Sequence, residues 1–177
     1  VLAFPGECNL TGALYPVMDW AKAAHNRDLS QTSLQVPSDA VVVTVVDAAA
    51  LAASTPIAPG SLDDVDLLVC SVYKITGSPT GLGALLVRKG SYAAQLLLET
   101  SVKSYFAGGR SVSGISVTDP DFFLPAPSVV DSLELGTPNL DAIEQLPIVL
   151  GEVDRTLGGI RNVHKRACDV ANMLRSG

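Results

Sequence analysis

Two apolar runs constrain the fold of this chain more than any other feature. The first, AVVVTVV at residues 40–46, is β-branched at nearly every position, and the second, DLLVCSVY at residues 66–73, repeats the pattern. Neither run alternates with polar residues, so both are typical of strands that are covered on both faces, as in a parallel sheet. The shorter segments VLAF and GALLVR predict two further strands.

Segments with helical spacing separate and follow these strands. YPVMDWAKAAHNR places Pro16 at an allowed first-turn position, and LDAIEQLPIVLGEVDRTL and IRNVHKRACDVANML predict two later helices. Pro147 predicts a kink in the first of these two, and Gly158 and Gly159 separate them. Residues 101–138 are rich in Gly, Ser and Pro and predict an extended loop or β-ribbon. Strands that alternate with helices predict an α/β fold with a mainly parallel sheet sandwiched by helices.

Length and charge exclude several classes of protein. The chain has 177 residues, enough for one domain with a sizeable core. Its formal net charge of −6 argues against a general nucleic-acid binder or an anionic-membrane binder. No apolar run approaches the roughly 20 residues that a membrane-spanning helix needs. We therefore expect a cytoplasmic protein that binds neither nucleic acid nor membrane.

Cysteine and histidine usage gives no metal site. Cys8, Cys70 and Cys168 show no CxxC spacing, and neither His25 nor His164 has ligand spacing. The cysteines are predicted to be free and buried thiols. The histidines are predicted to be solvated, at a helix end or on a helix surface.

Two ionisable residues, Asp47 and Lys74, stand where the predicted strands end. Ligands of open parallel sheets bind beyond these carboxyl ends. A lysine partly withdrawn from water loses its proton more readily, and a neutral amine can form a Schiff base with a carbonyl. A neighbouring carboxylate can hold a protonated ring nitrogen, so the pair fits a pyridoxal phosphate enzyme. The alternative, a solvated loop lysine and a capping aspartate, is favoured by the spacing alone.

The glycine-rich turn GSPTGLG, at residues 77–83, raises a competing hypothesis of a phosphate cradle built from backbone amides. It lacks the Gly-Lys-Ser/Thr of a Walker loop, and a predicted strand follows it where a GxGxxG motif would open a helix. A nucleotide site is therefore disfavoured.

Five segments, in the same order along the chain, resemble the molybdenum cofactor sulfurases. These are class V, cysteine-desulfurase-like members of the fold type I pyridoxal phosphate enzymes. SVYKITGSPTGLGALLVR is similar to their lysine segment, which has a tyrosine before the lysine. The other four resemble their asparagine loop, aspartate segment, Tyr-Phe-Gly-Gly-Gly element and Glu-x-Gly-Thr segment: FPGECNLTGALYP (4–16), VVDAAALAASTP (45–56), YFAGG (105–109) and LELGTPN (133–139). The resemblance implies that residues 1–177 are the central part of a large cofactor-binding domain, without its N-terminal segment and the C-terminal small domain.

The resemblance also implies a role for each matching residue. Lys74 would be the catalytic residue that bonds covalently to pyridoxal 5'-phosphate, and Asp47 would pair with the pyridinium nitrogen. Asn9 would hydrogen-bond the phenolic oxygen of the cofactor. Ser71 would bind the phosphate, with Tyr73 in place of the histidine that does so in the wider class.

Two of the matching segments depart from the family pattern. Gly108 and Gly109 would belong to a loop that reaches the phosphate of the partner subunit in the family's homodimer. Ala107 replaces a glycine there and Arg110 replaces a threonine, although a guanidinium can also bind phosphate bidentately. Ala50 stands where many desulfurases have a glutamine, so that contact to the phenolic oxygen should be missing.

The activity implied by the resemblance is that of a sulfurtransferase, which takes sulfur from L-cysteine for the sulfuration of molybdenum cofactor. None of Cys8, Cys70 and Cys168 lies in a segment that matches the family's persulfide-forming cysteine loop. Two other interpretations stay open. The protein would be another class V enzyme, such as a lyase, an epimerase or an aminotransferase, or a non-catalytic truncated homologue.

Overall fold

The chain alternates strands and helices, as its computed structural model shows. The structure describes residues 1–30, 32–58, 60, 62–79, 81–102, 112–119, 122–126, 128–134 and 136–176. The elements follow in chain order as β1 (Leu2–Pro5), α1 (Val17–His25), β2 (Thr44–Asp47), α2 (Leu51–Ser54), β3 (Leu67–Ser71), α3 (Val72–Thr76), β4 (Gly83–Val87), α4 (Tyr92–Val102), β5 (Val112–Ile115), β6 (Phe123–Pro125), α5 (Val129–Leu133), α6 (Leu140–Leu157) and α7 (Gly159–Ser176).

A four-stranded sheet in the order β1-β2-β3-β4 forms the centre of the fold. The strands β1, β2 and β3 are parallel, with Pro5 opposite Asp47 and Asp47 opposite Val69. Their carboxyl ends therefore lie at one edge of the sheet. The predicted α/β fold with a mainly parallel sheet is confirmed.

The strand β4 runs antiparallel to β3 because the connection between them is short. A parallel crossover takes a dozen or more residues, usually with a full helix, whereas α3 has only five residues. Gly77 and Gly81 then turn the chain with φ of 70° and 134°, a backbone region that favours glycine. The Val72 N–H donates to the Leu82 carbonyl over 3.2 Å and closes the turn.

One apolar cluster joins the sheet to the first two helices. Val46 of β2 and Leu68 of β3 pack with Val17 and Ala21 of α1 and with Leu51 of α2. The spacing of four residues on α1 places both of its contacts on one helix face. This cluster holds β2 and β3 side by side and fixes the positions at which they end.

A buried carboxylate ties the amino-terminal ends of β2 and β3 together. Asp66 is only 2% exposed, and its Oδ2 accepts a hydrogen bond from the Thr44 N–H over 2.9 Å. The same oxygen lies 3.1 Å from His25 Nε2, and Oδ1 accepts from the Arg88 guanidinium. A buried charge persists only where it is paired and hydrogen-bonded in this way. The prediction that His25 is solvated is wrong, because its ring is half-buried against Asp66.

We expect Asp66 to make the stability of the fold sensitive to acid. Burial by itself raises the pKa of its carboxyl, but the hydrogen bonds from Arg88 and Thr44 and the charges of His25 and Arg88 outweigh burial and lower that pKa. A carboxyl whose pKa is lower in the folded state stabilises the fold above its unfolded pKa of about 3.9. That contribution is lost as the pH falls below this value.

The free energy of unfolding in urea should therefore fall between about pH 5 and pH 3, and it should fall less steeply in an Asp66→Asn variant. The variant has no carboxyl to protonate at this position, although it is less stable at neutral pH. Equal acid slopes for the two proteins would contradict the role of Asp66.

The elements from residue 112 onward follow the sequence prediction with one addition. The strands β5 and β6 pair antiparallel, which confirms a β-ribbon between residues 101 and 138, but the short helix α5 was not predicted. The helix α6 continues through Pro147, and Gly158 with φ of 70° ends it. Within the part of the chain that the structure describes, no helix is both long and apolar enough to cross a membrane.

Candidate active site

The carboxyl edge of the parallel strands gathers several of the predicted polar residues. Asp47 is the last residue of β2, Ser71 is the last residue of β3, and Asn9 lies in the loop that follows β1. Open parallel sheets bind their ligands beyond this edge. The topology therefore brings together residues that lie far apart in the sequence.

The sequence predicted Lys74 directly at the end of a strand, but Lys74 lies on the helix α3. The apolar run continues through Val72 and Tyr73, but the pairing of β3 with β4 stops at Ser71. Beyond this point the backbone satisfies its hydrogen bonds by forming a helical turn, which Gly77 ends. Because α3 follows β3 directly, Lys74 still lies at the predicted edge of the sheet.

The side chain of Lys74 reaches the loop that follows β1. Its Nζ lies 3.5 Å from Asn9 Oδ1, a weak polar contact that is longer than the usual N–H···O hydrogen bond of about 2.7–3.2 Å. The lysine is half-buried. Two of the predicted cofactor-binding residues are thus in contact, although they come from different strand ends.

The loop that carries Asn9 is anchored to the sheet. The Gly6 N–H donates to the Asp47 carbonyl over 2.8 Å, and a Cβ at Gly6 would meet a side-chain carbon of Leu51 at 2.7 Å. Only glycine therefore lets the loop lie so close to α2. Gly12, with φ of 68°, donates its N–H to the Cys8 carbonyl and closes the turn around Asn9.

The carboxylate of Asp47 is oriented by its own turn. Its Oδ1 accepts from the Ala49 N–H over 2.9 Å. The side chain is exposed at the carboxyl edge, so a ligand can reach the carboxylate. The hydrogen bond fixes the direction in which this charge points.

Ser71 and Tyr73 lie on either side of the start of α3. Ser71 occupies the N-cap position, but its hydroxyl makes no capping hydrogen bond, and Tyr73 is 40% exposed. Both side chains are available to a ligand at this edge. Gly108, Gly109 and Arg110 lie outside the described residues, so their contribution to the phosphate site stays a prediction.

The sequence predicted Cys8 only as a free thiol and did not predict its lowered pKa. Cys8 is next to Asn9 in the same loop. The hydrogen bond with the Thr11 hydroxyl, supported by backbone amides of the turn, lowers the pKa of the Cys8 thiol to about 7. The spacing CNLT, with a threonine three residues after the cysteine, is a signal that was present in the sequence. The prediction of free thiols is confirmed, but that of burial is wrong, since Cys8 and Cys70 are half-exposed and Cys168 is exposed.

The groups at this edge fit pyridoxal phosphate. Lys74 offers an amine that can condense with an aldehyde, and Asp47 offers a carboxylate for a protonated ring nitrogen. Asn9 offers an amide and Ser71 a hydroxyl for hydrogen bonds to oxygen atoms. Among the described residues, no group of three or more His, Cys, Asp or Glu side chains could hold a metal ion.

Comparisons with known proteins match this chain to a family model and to several longer relatives. The family model described as Aminotransferase class-V matches residues 1–176. The molybdenum cofactor sulfurase of Homo sapiens is 31% identical over 171 residues, which are 97% of this chain and 18% of that protein. The molybdenum cofactor sulfurase of Solanum lycopersicum is 36% identical over 140 residues, which are 77% of this chain and 16% of that protein. The chain thus spans less than a fifth of the length of these relatives.

A solved structure shares the fold. The apo structure of cysteine desulfurase from Thermococcus onnurineus NA1 superposes with a TM-score of 0.58, covering 86% of this chain and 32% of that chain at 23% sequence identity. The likeness supports the predicted fold class, in which helices pack on a mostly parallel sheet.

Proposed function

Because this chain belongs to the class-V aminotransferase family, we propose that the protein is a pyridoxal phosphate-dependent sulfurtransferase that takes sulfur from L-cysteine for molybdenum cofactor. The observation that carries the proposal is the contact between Lys74 and Asn9. It lies at the same edge of the sheet where β2 ends with Asp47. The identity of 30–36% with several molybdenum cofactor sulfurases supports the choice of substrates. Residues 1–177 would be the central part of the large cofactor-binding domain.

Each residue of the site would have a separate task. Pyridoxal phosphate, when bound, would supply an electron sink for the electrons of a bond at the substrate Cα. Lys74 would hold the cofactor covalently through Nζ, and the same amine would later move a proton at the substrate Cα. Asp47 would keep the proton on the ring nitrogen, with its carboxylate oriented by the Ala49 N–H.

The other residues would bind and position the cofactor. Asn9, already in contact with Lys74 Nζ, would hydrogen-bond the phenolic oxygen next to the reacting amine. Ser71 and Tyr73 would bind the phosphate, and Gly108, Gly109 and Arg110 would contribute the loop toward the phosphate of a second subunit. We therefore include a homodimer in the proposal. The three free thiols support a reducing, cytoplasmic location.

The sulfur atom needs a thiolate acceptor. None of Cys8, Cys70 and Cys168 lies in a segment like the family's persulfide-forming loop, so we assign that cysteine to another part of the protein. Its thiolate would take the sulfur of L-cysteine as a persulfide, and alanine would be released.

The proposed function predicts a specific pair of products. The full protein, supplied with pyridoxal phosphate and L-cysteine, should form alanine together with protein-bound sulfur that dithiothreitol releases as sulfide. Amino-acid analysis and a sulfide assay measure the two products, with L-serine in place of L-cysteine as the control. Pyruvate or an amino-group exchange product would favour another class V enzyme. Failure to retain the cofactor would favour a non-catalytic homologue.

A further inference from the structure

The helix α7 carries a thiol and an imidazole in contact, outside the candidate active site. Cys168 Sγ lies 3.7 Å from His164 Nε2, which is within hydrogen-bonding distance for sulfur, and Cys168 is exposed. The two residues are four positions apart, so they share one face of the helix. An imidazole within hydrogen-bonding reach is the usual partner of a nucleophilic cysteine.

The orientation of His164 is fixed by a neighbouring helix. Its Nδ1 lies 3.0 Å from the backbone carbonyl of Ser54, the last residue of α2. A carbonyl oxygen can only accept, so Nδ1 carries the proton and donates it, and in the neutral ring Nε2 is left as an acceptor. The prediction that His164 is solvated is therefore wrong.

A chain of polar groups supports this orientation. Thr55 Oγ1 lies 3.5 Å from the same Nδ1, and the Ser54 hydroxyl donates to Glu7 Oε2 over 2.7 Å. Ser54 thus joins α7 to the loop that follows β1, through its carbonyl on one side and its hydroxyl on the other. The acceptor nitrogen of His164 is held toward the Cys168 thiol, and the exposed sulfur is open to a small molecule.

We propose that Cys168 is a thiol–disulfide exchange site for small disulfides, with His164 as its proton acceptor. His164 Nε2 takes the proton from Cys168 Sγ as the sulfur attacks one sulfur atom of R–S–S–R. A bond forms between Sγ and that sulfur, the disulfide bond of the reagent breaks, and R–S⁻ leaves. Cys168 is oxidised to a mixed disulfide, and the departing half of the reagent is reduced. The reaction needs neither pyridoxal phosphate nor L-cysteine, so this site is independent of the proposed function.

The test follows the rate of modification of Cys168 in the full protein by 2-hydroxyethyl disulfide, an uncharged probe. Mass spectrometry of the peptides separates Cys168 from Cys8 and Cys70. The His164→Asn variant keeps an N–H that can donate to the Ser54 carbonyl but lacks the acceptor at Nε2. Positioned proton transfer contributes 10²–10⁴-fold in enclosed sites, and for an exposed pair we expect the variant to lose about tenfold in rate.

Two controls separate proton transfer from other effects. Lys165→Gln removes an adjacent positive charge on α7 and should leave the Cys168 rate within about twofold of wild type. Cys70, which lies on β3, should react at the same rate in all variants and serves as the internal reference. His164→Gln, which places an uncharged amide near the Nε2 position, should be as slow as His164→Asn.

The expected result is a selective loss of rate at Cys168 in both His164 variants, with an unchanged melting temperature in His164→Asn, which keeps the hydrogen bond to the Ser54 carbonyl. The proposal is overturned if Cys168 is not modified in the wild-type protein, or if the His164 variants react as fast as wild type. It is also overturned if Lys165→Gln is as slow as they are, because the charge and not the imidazole would then control the thiol.

Discussion

Replacing Lys74 with alanine is expected to abolish the covalent attachment of pyridoxal phosphate and to lower turnover of L-cysteine by about 10³-fold or more. The variant lacks both the amine that bonds the cofactor and the group that moves a proton at the substrate Cα. Borohydride reduction followed by peptide mapping should label the Lys74 peptide in the wild-type protein and no lysine in the variant. The visible absorbance of the bound cofactor should change in parallel.

The stability of the Lys74→Ala variant should be close to that of wild type. The side chain is half-buried, and its contact with Asn9 Oδ1 is 3.5 Å long, so we expect a loss of about 0.5 kcal/mol or less in the free energy of unfolding. Lys89→Ala, an exposed lysine in the turn after β4, is the matched control and should retain full activity.

A Lys74→Arg variant keeps a positive charge and distinguishes bonding from electrostatics. A guanidinium stays protonated and does not condense with an aldehyde under these conditions, so this variant should be as inactive as Lys74→Ala. Covalent labelling at a different lysine, or activity that survives either substitution, would show that Lys74 has been given the wrong role.

The sheet and the strand-end residues could be predicted because their signals are local. The β-branched run at residues 40–46 indicates a strand that is covered on both faces, and Asp47 follows it directly. Asp47 can be placed at the carboxyl edge from two facts alone: the direction of the strand, and its position directly after the last apolar residue. The contact of Lys74 with Asn9 was beyond such reasoning, since these residues are 65 positions apart and meet only through the sheet order.

Other features depended on competition between neighbouring elements. The apolar pattern continues past Ser71, so the pattern alone extends the strand to Tyr73, whereas the pairing with β4 ends it at Ser71. The antiparallel direction of β4 depends on the length of the connection, which the glycine-rich turn shortens. Neither the end of β3 at Ser71 nor the direction of β4 can be inferred from hydrophobic periodicity.

The two ends of the parallel strands differ in how completely their polar groups are used. At the amino-terminal ends, Asp66 is buried and has partners on both oxygens, from Thr44, His25 and Arg88. Such a group has no capacity for a ligand, so its role is to hold the strands together. At the carboxyl ends, Asp47 is exposed and Ser71 makes no capping bond. The polar groups at the amino-terminal ends of the strands are therefore satisfied within the protein, whereas those at the carboxyl ends are accessible to a ligand.

The carboxylate of Asp47 shapes a turn and, in the proposed function, would also hold a proton on the cofactor, and one pair of variants can separate these two tasks. Its Oδ1 accepts the Ala49 N–H and shapes the turn after β2, while its charge would hold the proton on the cofactor ring. Asp47→Asn keeps an oxygen at the position of Oδ1 but removes the charge. Asp47→Ala removes both the acceptor and the charge.

The Asp47→Asn variant is expected to lose about 10²–10³-fold in turnover, the usual effect of removing one oriented electrostatic group from a catalytic site. Its unfolding should match wild type, because the turn is intact. Asp47→Ala should lose the same turnover and, in addition, about 1 kcal/mol in the free energy of unfolding, since one hydrogen bond is gone. Steady-state kinetics and urea unfolding measure the two quantities separately. If Asp47→Asn retains activity while Asp47→Ala loses activity and stability together, the carboxylate serves only the turn and the ring nitrogen has another partner.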